Sequence, residues 1–512
     1  MLIKVFGAAV QGIDATLITI EVNSSRGCMF YLVGLPDSAV KESHQRIISA
    51  LQVNGYRMPT SNIVINMAPA DIRKEGAAYD LPLAIGILAA SEVIQSDKLE
   101  RYLLMGELSI DGRMETHKGA LPIAIKAREL GFEGMIVPQQ NAHEAAVVNN
   151  LKVYGAGNIK EVIEFFNGTQ ELTPTLVNTR EEFYSQQSNF DFDFAEVKGQ
   201  ENVKRALEVA ASGSHNILLI GSPGSGKSML AKRLPSILPP LSLGESLETT
   251  KIHSVAGKLG KDGGLISKRP FRAPHHTIST VAMTGGGSFP QPGEISLAHN
   301  GILYLDELPE YSRNVLEVLR QPLEDRKITV SRIRCNVEYP ASFMLVASMN
   351  PCPCGYYTHP TKACVCSPGQ VQKYLNRISG PLLDRIDLQI EVTPLPFEEM
   401  ADSRPGESSA TIRERVIRAR QIQEARYADI PGIYCNAQMN SKLLARHARP
   451  DDKGLAMLKT AMNRLNLSAR AYDRILKVSR TIADLEGCEL IQPAHLAEAI
   501  GYRNLDREGW AG

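Results

Sequence analysis

Stretches with the period of a strand alternate with stretches of helical spacing over the first third of the chain. Strand-like patterns lie at 15–22, 30–33 and 62–67, and helical spacing is clear at 38–54 and 81–90. The alternation predicts a first domain of the α/β class.

Changes of composition divide the rest of the chain. A polar, poorly periodic segment follows the first domain, and a second segment containing proline, glycine and serine precedes a region of helical spacing without a clear strand. Between these segments lie further apolar runs typical of buried strands. The predicted organisation is an α/β domain at 1–168, a linker at 169–190, an α/β core at 191–395, a linker at 396–410 and a helical domain at 411–512.

One apolar run, at 216–220, leads into the sequence GSPGSGKS, which fills the fixed positions of a phosphate-binding loop. Its glycines let backbone N–H groups turn onto phosphate oxygens, Lys227 reaches the β- and γ-phosphates, and Ser228 offers a hydroxyl to Mg²⁺. The helix that follows favours an anion at its N-terminus. We therefore predict a site for ATP and Mg²⁺ formed by Gly221, Ser222, Pro223, Gly224, Ser225, Gly226, Lys227, Ser228 and Met229.

Polar residues end two later apolar runs. Asp306 is predicted to hold Mg²⁺ directly or through water, and Glu307 to polarise the attacking water. Asn350, after the run at 342–349, is a neutral amide suited to orienting that water. Capping of a turn before Pro351 is the alternative for Asn350.

Overall charge and hydropathy exclude some classes of protein. The 56 Lys and Arg residues balance 56 Asp and Glu residues, so any nucleic-acid contact must come from local basic patches. The sequence has no run of about 18 apolar residues and no N-terminal basic segment followed by a long apolar one. We expect a cytoplasmic protein that does not engage a membrane.

Two Cys-x-Cys pairs, Cys352 with Cys354 and Cys364 with Cys366, stand in one short segment. Four thiolates can close a tetrahedral Zn²⁺ site. The spacing is tighter than Cys-x-x-Cys, which strains chelation within each pair, and reduced thiols without metal are the alternative. We predict a zinc site that braces the loop after Asn350.

Three N-terminal motifs resemble the Lon-protease-like domain of RadA and the ComM/YifB proteins: Gly34-Leu35-Pro36-Asp37, the stretch at 66–76, and the stretch at 106–113. The resemblance implies a ribosomal-protein-S5-like α/β sandwich. Ala78 falls where such a protease carries its nucleophilic serine, and Pro122 stands near the expected lysine, although Lys118 lies close by. The resemblance therefore implies a catalytically degenerate domain with a structural or DNA-engaging role.

From 221 to 387 the order of motifs resembles the magnesium-chelatase-like group of AAA+ proteins, and the whole chain resembles the ComM/YifB family. This implies an AAA+ P-loop NTPase core with a C-terminal helical lid. The stretch at 193–201 resembles the segment lining the adenine pocket, and Asn350 stands at sensor 1. Stretches at 269–277 and 285–288 resemble the insert in helix 2 of this group.

The same resemblance assigns roles to two arginines. Arg385 matches the arginine finger, which reaches a neighbouring subunit's nucleotide, and Arg470 matches the sensor-2 arginine, with Arg474 as the weaker choice. The alternatives are an ion pair of Arg385 with Asp384 or Asp387 and a solvated helix arginine at 470.

Two further features lie between these motifs. His275 and His276 are predicted to be structural, because adjacent histidines in a strand point to opposite faces. Residues 327–338 alternate as a hairpin, at the position of the pore hairpin of ring helicases. There Lys327, Arg332 and Arg334 would meet phosphates of a threaded strand, and a solvated hairpin edge is the alternative.

The family resemblance implies ATP-driven branch migration and unwinding of DNA during integration of transforming DNA. A finger acting on a neighbour requires a ring, and we expect a homo-hexamer. The implied partners are single- and double-stranded DNA, branched junctions and recombinase-coated DNA. The alternatives are a magnesium-chelatase ATPase subunit, a protein-remodelling AAA+ ATPase and an ATP-dependent protease, which Ala78 argues against.

Overall fold

The structure is a computed structural model that describes residues 2–95, 97–187, 189–260, 263–287, 290–332, 335–357, 359–396, 406–465 and 467–503. The strands are β1 (Leu2–Gln11), β2 (Asp14–Ser25), β3 (Phe30–Val33), β4 (Asn62–Ala68), β5 (Tyr102–Leu104), β6 (Glu107–Leu108), β7 (Met114–Glu115), β8 (Gly134–Pro138), β9 (Lys152–Ala156), β10 (Ile217–Ile220), β11 (Phe271–Arg272), β12 (Gly285–Gly286), β13 (Gln291–Pro292), β14 (Ile302–Leu305), β15 (Lys327–Arg332), β16 (Cys335–Pro340), β17 (Met344–Met349) and β18 (Leu388–Glu391). The helices are α1 (Ser38–Val53), α2 (Asp80–Ala90), α3 (Ala120–Glu129), α4 (Gln139–Ala146), α5 (Ile159–Phe166), α6 (Thr179–Gln186), α7 (Glu201–Gly213), α8 (Lys227–Arg233), α9 (Leu243–Ala256), α10 (Thr280–Thr284), α11 (Glu294–Leu297), α12 (Arg313–Glu317), α13 (Arg320–Asp325), α14 (Pro368–Leu375), α15 (Gly380–Leu383), α16 (Ser409–Tyr427), α17 (Ser441–His447), α18 (Asp452–Arg464), α19 (Ala469–Leu485) and α20 (Pro493–Gly501).

The chain divides into two compact units. Unit 1 comprises Met1–Gln186 and Leu243–Ser267, and unit 2 comprises Gln187–Ser242 and Lys268–Gly512. Helix α9 therefore belongs to unit 1, although its sequence lies inside the span predicted as the α/β core. Helix α6 lies in the segment expected to be an irregular linker; it places Phe183 in a buried position. The boundaries of the predicted domains stay predictions.

Unit 1 is built on a mixed sheet of seven strands in the order β3-β4-β2-β1-β5-β8-β9. β1 and β2 form a long antiparallel hairpin, whereas β5, β8 and β9 run parallel. Helix α2 is buried along its whole length against β1 and β2. The strands predicted at 15–22, 30–33 and 62–67 are confirmed as β2, β3 and β4, and the helices predicted at 38–54 and 81–90 as α1 and α2.

Unit 2 is built on a five-stranded sheet in the order β11-β14-β17-β10-β18, with parallel pairing throughout. The side chains of β10, β14 and β17 are buried, as expected for parallel strands covered on both faces. β17 lies between β10 and β14, so that Ile220 pairs with Met349 and Leu305 pairs with Ala347. The residues that follow these three strands are thereby brought to one edge of the sheet.

The C-terminal region of unit 2 is helical, as predicted. Helix α19 packs against α20, α16 and α7, and buries Ile475, Leu476 and Ile482 on its inner side. Ser408 caps the N-terminus of helix α16, and its hydroxyl accepts a hydrogen bond from the N–H of Thr411. Among the described residues, none of the helices combines the length and the apolar character needed to cross a membrane.

Candidate nucleotide-binding site

The phosphate-binding loop turns tightly between β10 and α8. Gly221 donates its N–H to the Met349 carbonyl at 3.1 Å, and a Cβ at Gly221 would lie 2.3 Å from the Val392 carbonyl oxygen. Only glycine fits this approach. Gly226 has φ +93°, a left-handed conformation that favours glycine, and α8 begins at the next residue. The predicted strand, loop and helix are confirmed as elements in this order.

Lys227 folds back over the loop that precedes it. Its Nζ donates to the Gly221 carbonyl at 2.7 Å, the Ser222 carbonyl at 2.9 Å and the Asn350 Oδ1 at 3.2 Å. Burial lowers the pKa of Lys227, while the nearby carboxylates Asp306 and Glu307 act in the opposite sense. Because these three acceptors are uncharged, they do not neutralise the ammonium, whose positive charge suits a phosphate.

Asp306 accepts hydrogen bonds from several donors at the end of β14. Ser228 Oγ donates to its Oδ2 at 2.9 Å, the Glu307 N–H donates to its Oδ1 at 3.1 Å, and the Ser348 hydroxyl also donates to Oδ1. Burial raises the pKa of Asp306, but the hydrogen bonds from Ser348 and Ser228 outweigh it and hold the pKa below its usual value. The carboxylate is therefore ionised at neutral pH.

The oxygen atoms of Ser228 and Asp306 fit Mg²⁺, which takes hard oxygen ligands and usually keeps several waters. Two residues that the sequence analysis missed, Ser348 and Tyr304, support Asp306 through a chain of hydrogen bonds. Tyr304 donates to Ser348 Oγ at 3.0 Å, and Ser348 donates in turn to Asp306. The signal that the sequence offers for Ser348 is a polar residue in the otherwise apolar run of β17.

Glu307 stands at the mouth of the site, with an exposed side chain and φ +54°. His276 lies beside it, with Nδ1 at 3.6 Å from Glu307 Oε2. The prediction that His275 and His276 point to opposite faces is wrong: their ring centroids are 4.0 Å apart. The pair lies in a turn after β11 and not in a strand, so the alternation of a strand does not apply.

Two hydrogen-bonded pairs thus lie at this edge of the sheet, Lys227 with Asn350 and Ser228 with Asp306. Lys227 and Ser228 are consecutive in the chain, and Glu307 follows Asp306. A cation, a hydroxyl, a carboxylate and an amide converge at the carboxyl edge of a parallel sheet. This arrangement can bind a metal–phosphate group and position a water beside it.

The two arginines assigned by resemblance bind residues of their own chain. Arg385 is only 7% exposed; its Nη1 donates to the Pro381 carbonyl at 2.6 Å and its Nη2 pairs with Glu324 Oε1 at 2.6 Å. The side chain is therefore neither a surface ion pair with Asp384 or Asp387 nor extended into solvent. Its role as an arginine finger stays a prediction.

Arg470 and Arg474 lie at the start of α19. Arg470 is exposed, with Nη1 at 3.2 Å from Asp384 Oδ2. Arg474 Nη1 lies 2.9 Å from Oδ1 of Asp387, a carboxylate that is fully buried. Both arginines therefore join the helical lid to the segment that carries Arg385.

The predicted hairpin is confirmed as β15 and β16, paired antiparallel. Lys327 lies on its exposed side, with Nζ at 2.9 Å from Glu338 Oε2. The Arg332 side chain and Arg334 lie outside the described residues, so their predicted role in DNA binding stays a prediction.

The four clustered cysteines converge in space. The Sγ atoms of Cys352, Cys354, Cys364 and Cys366 all lie within 4.8 Å of one another. Cys352 Sγ is 3.3 Å from Cys354 Sγ and 3.7 Å from Cys364 Sγ. The loop thus brings both Cys-x-Cys pairs to one point, as a shared metal ion would require.

Comparison with known proteins agrees with this geometry. The family described as magnesium chelatase, subunit ChlI, matches residues 193–400; a family described as subunit ChlI of Mg-chelatase matches 20–141, and one described as its C-terminal part matches 406–503. A magnesium-chelatase 38 kDa subunit of Rhodobacter capsulatus is 26% identical over 31% of this chain and 50% of its own length.

Two relatives match along nearly the whole chain. Competence protein ComM of Haemophilus influenzae is 45% identical, covering 98% of this chain and 97% of the relative. The protein YifB of Escherichia coli is 43% identical, covering 98% of this chain and 96% of the relative. The chain therefore belongs to the ComM/YifB family of magnesium-chelatase-like AAA+ proteins.

Proposed function

We propose that this protein is a hexameric, ATP-driven DNA motor that migrates branches of recombination intermediates during natural transformation, acting in the cytoplasm. The observation that carries the proposal is that two hydrogen-bonded pairs, Lys227 with Asn350 and Ser228 with Asp306, lie at one edge of the sheet. The likeness to a competence protein over almost the full length supports the choice of DNA as the substrate.

ATP hydrolysis follows from the roles of these side chains. Lys227 binds the β- and γ-phosphates, and the oxygens of Ser228 and Asp306 hold Mg²⁺, which neutralises phosphate charge when bound. Glu307 accepts a hydrogen bond from the attacking water and polarises it. Asn350, whose Oδ1 already accepts from Lys227, turns its NH₂ group toward that water.

Coupling of ATP hydrolysis to DNA movement requires that the subunits assemble into a ring. Arg385 is assigned to the nucleotide of a neighbouring subunit, so it must leave Glu324 when the interface closes. Arg470 contacts the γ-phosphate from the lid. Lys327, Arg332 and Arg334 of the hairpin then bind the phosphates of single- or double-stranded DNA, of branched junctions or of recombinase-coated DNA.

Two other assignments belong to the same proposal. Residues 1–168 form a degenerate Lon-protease-like domain, because Ala78 has no nucleophilic atom; this residue lies half-buried before α2. Zn²⁺ is the metal proposed for the cluster of Cys352, Cys354, Cys364 and Cys366, since Zn²⁺ takes four thiolates in a tetrahedron.

A second candidate is the ATPase subunit of a magnesium chelatase, which the three ChlI matches favour. Stimulation of ATP turnover separates the candidates. We expect branched DNA to raise turnover by wild-type protein and to have no effect on Lys227→Ala, which lacks the phosphate-binding ammonium. Stimulation by a porphyrin with chelatase partner subunits, or by unfolded protein, in place of DNA would contradict the proposal.

A further inference from the structure

The four-cysteine loop lies directly against the phosphate-binding loop. Gly355, between the two Cys-x-Cys pairs, faces Pro223: a Cβ at Gly355 would lie 2.5 Å from Pro223 Cδ and 3.8 Å from Asn350 Cγ. Gly355 has φ +81°, and its N–H donates to the Cys352 carbonyl at 3.0 Å. A turn whose conformation depends on Cys352 therefore sits on the outer part of the nucleotide loop.

The sulfur positions fit one tetrahedral metal. Zn–S bonds of about 2.3 Å place sulfurs about 3.8 Å apart at the corners of a tetrahedron. The separations of Cys352 from Cys354, Cys352 from Cys364 and Cys354 from Cys364 are 3.3, 3.7 and 3.6 Å. The N–H of Tyr357 also donates to Cys352 Sγ at 3.3 Å, which orients this sulfur.

The chain also joins the cluster to the catalytic amide. Asn350 follows β17, and Cys352 comes two residues later with its side chain fully buried. Cys364 and Cys366 come from the other arm of the loop. A metal that joins the two arms therefore fixes Asn350 through the chain and Pro223 through packing.

We infer that Zn²⁺ bound by Cys352, Cys354, Cys364 and Cys366 holds the phosphate-binding loop and Asn350 in their nucleotide-binding positions, so that ATP affinity depends on metal occupancy. The inference rests on the proposed nucleotide site. Without the metal, the segment between Asn350 and Ser367 gains conformational freedom, and ordering it on ATP binding costs affinity.

The first test removes the metal and reads nucleotide binding without turnover. Wild-type protein should contain one Zn²⁺ per chain by elemental analysis, and the double variant Cys364→Ser/Cys366→Ser should contain none. The double variant should bind a fluorescent ATP analogue about tenfold more weakly than wild type, a loss of about 1.4 kcal/mol in binding free energy. Cys28→Ser, at an exposed free cysteine of unit 1, is the control and should match wild type. Circular dichroism verifies that the variants are folded.

The second test keeps the ligands and disturbs only the contact. Gly355→Ala adds a Cβ that must displace Pro223, so we expect full zinc content with several-fold weaker nucleotide binding. Gly432→Ala is matched to it: φ is +80° there, the same strain applies, and nothing lies within 4 Å of the added Cβ. It should bind both zinc and nucleotide as wild type does.

The outcomes separate this inference from the proposed function. Three results would overturn the inference: wild-type protein without metal, a metal-free variant with wild-type ATP affinity, or equal nucleotide affinity of Gly355→Ala and Gly432→Ala. If Lys227→Ala still abolishes ATP binding, the proposed function stands. A wild-type chain that does not bind ATP overturns both.

Discussion

Asp306 keeps its charge because a serine on the neighbouring strand donates to it. Ser348 bonds Oδ1 while Ser228 bonds Oδ2, and Tyr304 donates to Ser348 from behind. These hydrogen bonds orient the carboxylate as well as lowering its pKa. Mutation of a residue that orients a metal ligand by a hydrogen bond typically costs about 10- to 100-fold in metal affinity or activity.

We predict that Ser348→Ala raises the Mg²⁺ concentration for half-maximal ATP turnover by about tenfold, because Asp306 loses a donor. A magnesium titration of ATPase activity measures this. Ser296→Ala is the matched control, since Ser296 is also fully buried in unit 2 and its Oγ has no hydrogen-bond partner among the described residues. Equal magnesium dependence in the two variants would show that Ser348 does not support the metal ligand.

Buried polar contacts join α19 of the lid to the segment that carries Arg385. Asp387 is fully buried; it accepts from the Asn216 N–H at 3.0 Å and from Arg474. Asn216 donates its side-chain NH₂ to the Arg385 carbonyl at 2.9 Å. Arg474 thus links the lid, through one carboxylate, to the backbone at Arg385.

Asp387→Asn should destabilise unit 2 by about 3 kcal/mol, because it leaves a partly buried arginine without its carboxylate. Asp384→Asn removes the partner of Arg470, which is 63% exposed, and should change the free energy of unfolding by less than about 1 kcal/mol. Urea unfolding of both variants measures the difference. Similar losses would mean that the buried pair has no special part in holding the lid.

His215 adds a pH dependence at the same place. It is fully buried, its Nε2 lies 2.8 Å from Thr481 Oγ1, and burial lowers its pKa below 6.5 even though Asp387 acts in the opposite sense. The unfolded chain then binds more protons than the folded chain below about pH 6.5, so stability falls as pH falls.

We predict a smaller loss of unfolding free energy between pH 7 and pH 5 in His215→Gln than in wild type. The slope attributable to one such histidine is at most about 1.4 kcal/mol per pH unit. Chemical unfolding at several pH values gives the slope. Identical slopes in the two proteins would contradict the assignment of the pH dependence to His215.

Prediction from sequence succeeded where the signal was local. β10, β14 and β17 are short apolar runs; β10 precedes the phosphate-binding loop, and β14 and β17 precede Asp306 and Asn350. It failed where the direction of a side chain depends on an irregular turn and where distant segments meet. The 4.0 Å contact between His275 and His276, and the approach of His276 to Glu307, depend on an irregular turn that no periodicity encodes. The spatial order β10-β17-β14 also differs from the chain order, because the periodicity of one strand does not encode which distant strand it pairs with.

At the scale of the whole molecule, the sequence could not show which unit each segment joins. The stretch Leu243–Ser267 belongs to unit 1 despite standing between two motifs of the nucleotide site. Within unit 1, the Ser254 hydroxyl bonds Glu144 Oε1, and Glu144 also accepts from the Leu121 N–H at 2.9 Å. Hydrogen bonds between residues so far apart in sequence leave no pattern that a single sequence reveals.

The central claim is that ATP cleavage at a subunit boundary moves DNA. Migration of a synthetic four-way junction, measured with ATP and Mg²⁺, tests it most directly. We predict that the wild type converts the junction to duplex products, that Lys227→Ala binds the junction without moving it, and that Arg385→Ala assembles but does not move it. A wild-type chain that hydrolyses ATP yet neither binds nor moves the junction would contradict the account.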